Sequence, residues 1–151
     1  MRYYFFSNSN SQNLLSMKKS LVLIALFISM FTFGSYAQKM GTITVKTSYK
    51  GIVDGYDHIN KTMVYVDGVL AGETSELVQS KPNSCKVSVK RGKHDIRIVN
   101  MAYYEGTWEE HTVTNEYSLD ALYENEITLK KKMTIDLVFD IDQEKTFVKV
   151  K

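Results

Sequence analysis

The residues of this chain able to do chemistry are few: three histidines, one cysteine, a short acidic run and a cluster of aromatic rings. His58 follows Asp57 in a polar loop, and His94 begins a strand just after a turn. His111 follows Glu109 by two, so in a strand both side chains share a face. With a loop carboxylate they would form a metal site, and with it a small metal-dependent hydrolase; otherwise they belong to an exposed polar strand face. Asp140, Asp142 and Glu144 in FDIDQEKT place carboxylates at i, i+2 and i+4. A calcium loop needs Gly at its sixth position, and Lys145 stands there, so a solvated hairpin loop is expected. No G-x-S-x-G elbow, no histidine paired with a nucleophile and no glycine-rich phosphate cradle occurs. No catalytic residue, metal or cofactor is therefore expected. Tyr103, Tyr104 and Trp108 in MAYYEGTW surround Gly106, and flat amphipathic rings on a loop suit a sugar or a peptide. The same rings could instead cover a sheet edge, and Tyr56 could join either arrangement.

The elements that must position these residues read as strands. In TITVKTSY (42–49), Ile43, Val45, Thr47 and Tyr49 alternate with polar residues, the period-two mark of a half-buried strand. In VYVDGVLAGE (64–73), apolar runs flank Asp67-Gly68, a pair suited to the two positive φ angles of a type I′ turn. Two-residue pairing sets Val66 opposite Val69, Tyr65 opposite Leu70 and Val64 opposite Ala71, which makes Asp67 a turn residue. A polar connection, GETSELVQSKPNS, leads to CKVSVK and HDIRIVNM, read as a second hairpin through Arg91-Gly92-Lys93 with positive φ at Gly92. WEEHTVT is a weaker strand and YSLDALYEN holds room for one helical turn. NEITLK and MTIDLVFD alternate cleanly, and DIDQEK turns the chain into TFVKV. About seven to eight short strands without a helical period predict an all-β, antiparallel β-sandwich in one domain.

The first 37 residues are set apart. Lys18 and Lys19, the apolar run Leu21–Phe33 and the small-x-small Ser35-Tyr36-Ala37 have the layout of a secretory signal peptide. Arg2 is the only charge upstream of Met17, which makes Met17 the expected start. The domain then spans 38–151, cleavage falls near Ala37-Gln38, and the product is periplasmic or secreted without a membrane span. Three of the 19 basic residues and none of the 17 acidic ones lie in that segment. The remainder carries a net charge near −1, which gives no overall electrostatic pull toward nucleic acid or anionic membrane. Cys85 is alone, so no intramolecular disulfide forms; alternation in CKVSVK puts it with Val87 and Val89 as a small buried hydrophobe.

Residues 63–101 resemble the PEGA domain and related small envelope β-sandwiches. The matching stretches are Val64-Tyr65-Val66-Asp67-Gly68, Gly72-Glu73-Thr74 and Gly92-Lys93-His94-Asp95-Ile96, with Tyr103-Tyr104 where that family often has Gly-Tyr. The Pro-Glu-Gly-Ala signature is absent, Val87–Gly92 reading VSVKRG in its place. The resemblance implies a non-catalytic extracytoplasmic module and transfers no site residue. The functional expectation is a cell-envelope module that binds a protein or glycan partner or serves as a structural accessory. Two alternatives stand beside it: a subunit docking through the C-terminal edge strand, and the small hydrolase built on Glu109 and His111.

Overall fold

The computed structural model describes residues 39–151, so the expected signal segment and its cleavage point lie outside the described residues. Ten strands follow in order: β1 (Met40–Lys50), β2 (Ile59–Val66), β3 (Val69–Glu73), β4 (Leu77–Val78), β5 (Asn83–Lys90), β6 (Gly92–Tyr104), β7 (Thr107–Glu110), β8 (Leu122–Leu129), β9 (Lys132–Asp140) and β10 (Lys145–Val150). They form two sheets. The first has the order β10-β9-β1-β5; in the second β2 and β6 are central, flanked by β3 and β4 on one side and β7 and β8 on the other. Long β6 serves two partners in succession, pairing β8 along Gly92–Val99 and β7 along Met101–Tyr104. Every ladder is antiparallel except β1 with β9, which run parallel from Thr42↔Lys132 to Lys50↔Asp140.

The core forms where the alternating residues of the two sheets meet. Ile43 and Val45, Val87 and Val89, and Ile135, Leu137 and Phe139 come from the first sheet; Val64, Ile96, Ile98, Ile127 and Leu129 come from the second. Cys85, half-buried, packs against this cluster, and burial pushes its thiol pKa up, away from reactivity.

Three local expectations need correction. Strands β5 and β6 are not a hairpin: β5 pairs β1, whereas β6 pairs β2 and β8. Gly92, at φ 140°, does take positive φ, but there the chain turns the corner between sheets. Val87, Val89, Ile96 and Ile98 all reach the common core either way, so alternation does not distinguish a corner from a hairpin. In the β2–β3 hairpin Asp67 (φ 52°) and Gly68 (φ 77°) make the expected turn, and Val66↔Val69 and Tyr65↔Leu70 pair as expected. Val64, however, pairs Gly72, because Ala71 bulges out. The bulge turns Gly72 toward the opposite sheet, where an added Cβ would stand 2.6 Å from Val87 Cγ1. The helical turn is a 3-10 turn at Val113–Asn115, and the end of YSLDALYEN is already strand β8.

Candidate binding pocket

Four connections meet at one end of the sandwich: 51–58 after β1, 79–82 after β4, 111–121 after β7 and 141–144 after β9. They enclose a cavity of about 290 Å³ lined by Val53, Tyr56, His58, Gln79, His111, Tyr117, Ser118 and Ile141. Asp57 ties two of these loops together, accepting from the Ser80 amide (2.9 Å) and from its hydroxyl (2.6 Å). The Ser80 hydroxyl bond, with the neighbouring amides, lowers the Asp57 pKa from its ordinary value. The Gln79 amide N–H donates to the His58 carbonyl at 3.0 Å, closing the same junction.

Histidine 111 forms the floor. Its side is covered by Tyr117, stacked at 4.1 Å between centroids and 26° between planes, and by Tyr49 at 5.4 Å. It is 4 % exposed, and burial followed by the nearby His58 lowers its pKa to about 4. The Gln79 side-chain amide donates to His111 Nδ1 at 3.3 Å, which leaves the proton of the neutral ring on Nε2. No hydrogen bond to Nε2 occurs among the described residues, and the His111 ring lines the cavity. At the rim Tyr56 and Tyr104 stand edge-on to His58, at 6.4 and 6.0 Å.

A buried polar network supports this floor. The Tyr49 hydroxyl donates to Asn100 Oδ1 (2.8 Å), and Asn100 Nδ2 donates to Asn60 Oδ1 (2.8 Å) and Thr62 Oγ1 (3.1 Å). Asn60 Nδ2 donates to the Leu77 carbonyl (2.8 Å), and the His111 amide donates to the Asn100 carbonyl (2.9 Å). Both sheets are thus locked together beneath the loops. Such a network is stable because each member is satisfied.

The nominated aromatic cluster is divided by the sheet. Tyr103 and Trp108 are a directly opposed β6–β7 pair with rings 5.1 Å apart on the outer face, and Lys61 Nζ lies 4.9 Å from the Trp108 ring. Tyr104 points to the other face, toward His58 and the pocket rim. Tyr103 is 41 % and Tyr104 48 % exposed, and Trp108 is half-buried. Glu109 and His111 also part company: Glu109 accepts from the Tyr117 hydroxyl (2.7 Å), and His111 turns to Gln79. No group of three His, Cys, Asp or Glu side chains placed to hold a metal ion occurs among the described residues. Asp140 caps its own turn, accepting from the Gln143 amide (3.0 Å) and side chain (3.2 Å), the expected hairpin loop. Sequence reading missed Gln79 and Tyr117 altogether, because nothing local marks a residue that a distant loop will cover.

No family model and no curated protein matches this chain. Among solved structures it is similar to pneumolysin (12 % identity, 76 % of this chain and 24 % of that one, TM-score 0.35) and listeriolysin O (13 %, 76 % and 22 %, 0.31). It is also similar to a candidate cell adhesion protein of Bacteroides ovatus ATCC 8483 (9 %, 75 % and 44 %, 0.36). The chain spans about a quarter of the first two proteins and under half of the third. At these scores the likenesses carry no argument, and the sandwich rests on its own strand pairing. Among the described residues no helix is long and apolar enough to cross a membrane.

Proposed function

We propose that this is an exported, non-catalytic binding module of the cell envelope, PEGA-like in organisation, whose loop-end pocket receives a neutral ring presented by a protein or glycan partner. One observation carries the reading: the lining contains aromatic faces and polar side chains able to hydrogen-bond, and among the described residues no Asp, Glu, Lys or Arg. A charged ligand would lose its hydration there without gaining a counter-charge, whereas a neutral ring would gain stacking area and one hydrogen bond. The volume sits at the small end of the roughly 300–1,000 Å³ typical of ligand sites, which fits one ring. Loops on a rigid sandwich are also where binding commonly resides.

Titration of the protein with neutral monosaccharides and N-acetylated aromatic amino-acid amides, followed through the imidazole signals of His58 and His111, tests this. A neutral ring should shift both, and Tyr117→Ala should abolish the response by removing the stacked wall. Response only to charged compounds would refute it. Docking through β10 is the second reading, favoured by one observation. Among the described residues that strand pairs β9 alone, and Phe147, Val148 and Val150 along it stay exposed, the situation that strand addition exploits.

A further inference from the structure

The charges of this domain are sorted by end. At the end opposite the pocket, the β5–β6 corner carries Lys90, Arg91 and Lys93, and the β8–β9 turn carries Lys130, Lys131 and Lys132. Lys39 and the start of β1, through Thr42, run between them. The Arg91 amide donates to the Lys39 carbonyl (2.9 Å), Arg91 Nε to the Met40 carbonyl (3.0 Å), and the Thr42 amide to the Lys131 carbonyl (2.9 Å). Two of the acids at this end are already engaged, Asp67 with His94 (2.7 Å) and Glu126 with Lys93 (3.0 Å). The pocket end is instead acidic on balance, with Asp54, Asp57, Glu116, Asp120, Asp142 and Glu144 in its loops against Lys50, Lys81 and Lys145.

Aliphatic side chains stand among these cations. Met40 is 50 % exposed and Val69, at the tip of the β2–β3 hairpin, 69 % exposed. The tip is tied to the same surface, because His94 bridges Asp67 to the Lys90 carbonyl (2.7 Å) and Lys90 pairs Met40. Among the described residues no exposed ring extends the patch: Tyr56, Tyr103 and Tyr104 belong to the other end and Phe147, on β10, lies beside Val138, so no stacking platform of a single-strand nucleic-acid binder occurs here among them. Cations mixed with protruding aliphatic groups are what an anionic lipid surface binds, the first through headgroups and the second through the acyl boundary.

We propose that this basic end docks on an anionic lipid surface, with Lys90, Arg91, Lys130 and Lys131 against the headgroups and Val69 and Met40 entering the interface. The pocket then faces away from the membrane. Docking does not depend on what the pocket holds.

Co-sedimentation with phosphatidylcholine vesicles, pure or with about a third phosphatidylglycerol, tests it at low and at physiological salt. Binding is expected to the mixed vesicles only, weakening as salt rises. The double variant Lys130→Gln/Lys131→Gln should bind about 30-fold more weakly, two cations at about 1 kcal/mol each. Lys50→Gln/Lys81→Gln at the pocket end should change it less than about twofold, and Val69→Ser should weaken it several-fold even where salt screens the lysines. Circular dichroism melts confirm that each variant is folded. Equal binding to pure phosphatidylcholine, or indifference to the Lys130/Lys131 pair, would overturn the proposal. Binding to duplex DNA as tight as to the vesicles, with Val69→Ser silent, would also overturn it and point to a soluble polyanion.

Discussion

Acid should destabilise this domain through His111, and by an amount the site defines. Burial against Tyr117 and Tyr49 holds the folded imidazole pKa at about 4, against an ordinary value of 6.5. Between those values the unfolded chain binds a proton that the folded chain refuses, so stability must fall as pH falls. The penalty is absent above about pH 6.5 and complete near pH 4. A difference of about 2.5 pKa units at about 1.36 kcal/mol each gives about 3 kcal/mol, a large part of a small domain's stability. Urea unfolding of the wild type and of His111→Gln at pH 7, 5.5 and 4 isolates this contribution, because carboxylates titrate alike in both proteins. The stability of the wild type relative to the variant should drop by about 3 kcal/mol across that range. The His111 proton signals should titrate near pH 4 by NMR. A midpoint near 6.5, or a gap between the two proteins that ignores pH, would refute the buried neutral floor.

Asp67→Asn should leave the hairpin turn intact and still alter the pH profile. The Asp67 carboxylate raises the His94 pKa, chiefly by its hydrogen bond, and His94 in turn lowers that of Asp67. The His94 contribution is full below its unfolded value of 6.5 and lost as pH rises through the raised one, whereas that of Asp67 is lost in acid below 3.8. In the variant the His94 midpoint should fall on NMR titration, and thermal stability should lose the part of its decline that begins as pH rises past 6.5. Asn100→Ala should cost about 3–5 kcal/mol by denaturant unfolding, because it strands the Tyr49 hydroxyl and Asn60 in the interior. Trp108→Ala, at a half-buried outer-face position, should cost about 1–2 kcal/mol, less than the roughly 2–5 kcal/mol of Leu137→Ala, and equal losses would put Trp108 in the core.

What was legible in the sequence was local. Period-two alternation identifies β1, β8 and β9 and their inward residues, since burial on one face is written every second residue. Asp67-Gly68 identifies its turn because backbone sterics permit few residues there. Alternation has neither direction nor partner, however. It reads the same in the parallel β1–β9 ladder as in an antiparallel one, and in a β5–β6 corner as in a hairpin. Those choices depend on which distant strand arrives beside which: Thr42 lies opposite Lys132 in the β1–β9 ladder, and Met40 opposite Lys90 in the β1–β5 ladder.

The pocket was illegible for that same reason. Its floor brings Gln79 against His111 and its walls take residues from four loops that only the completed sandwich makes adjacent. His111 was visible as half of an alternate pair with Glu109, but Glu109 holds the Tyr117 hydroxyl, eight residues on, whereas His111 stacks on the Tyr117 ring and bonds Gln79, 32 residues away. Polar residues at inward positions carried the missing signal. Thr47, Asn60, Thr62 and Asn100 interrupt otherwise apolar faces, and a buried polar run at one end of a sandwich has to serve something above it. Charge shows the same limit from the other side. A sum near −1 argues against anionic partners only if the charges are mixed, and folding sorts them on balance, with acids in excess in the pocket loops and lysines in excess in the opposite turns. For association at distances within a Debye length, about 8–10 Å in physiological salt, the charge on the approaching end is the operative quantity. Net charge can therefore exclude a partner for a disordered chain, but for a sandwich it must be counted end by end.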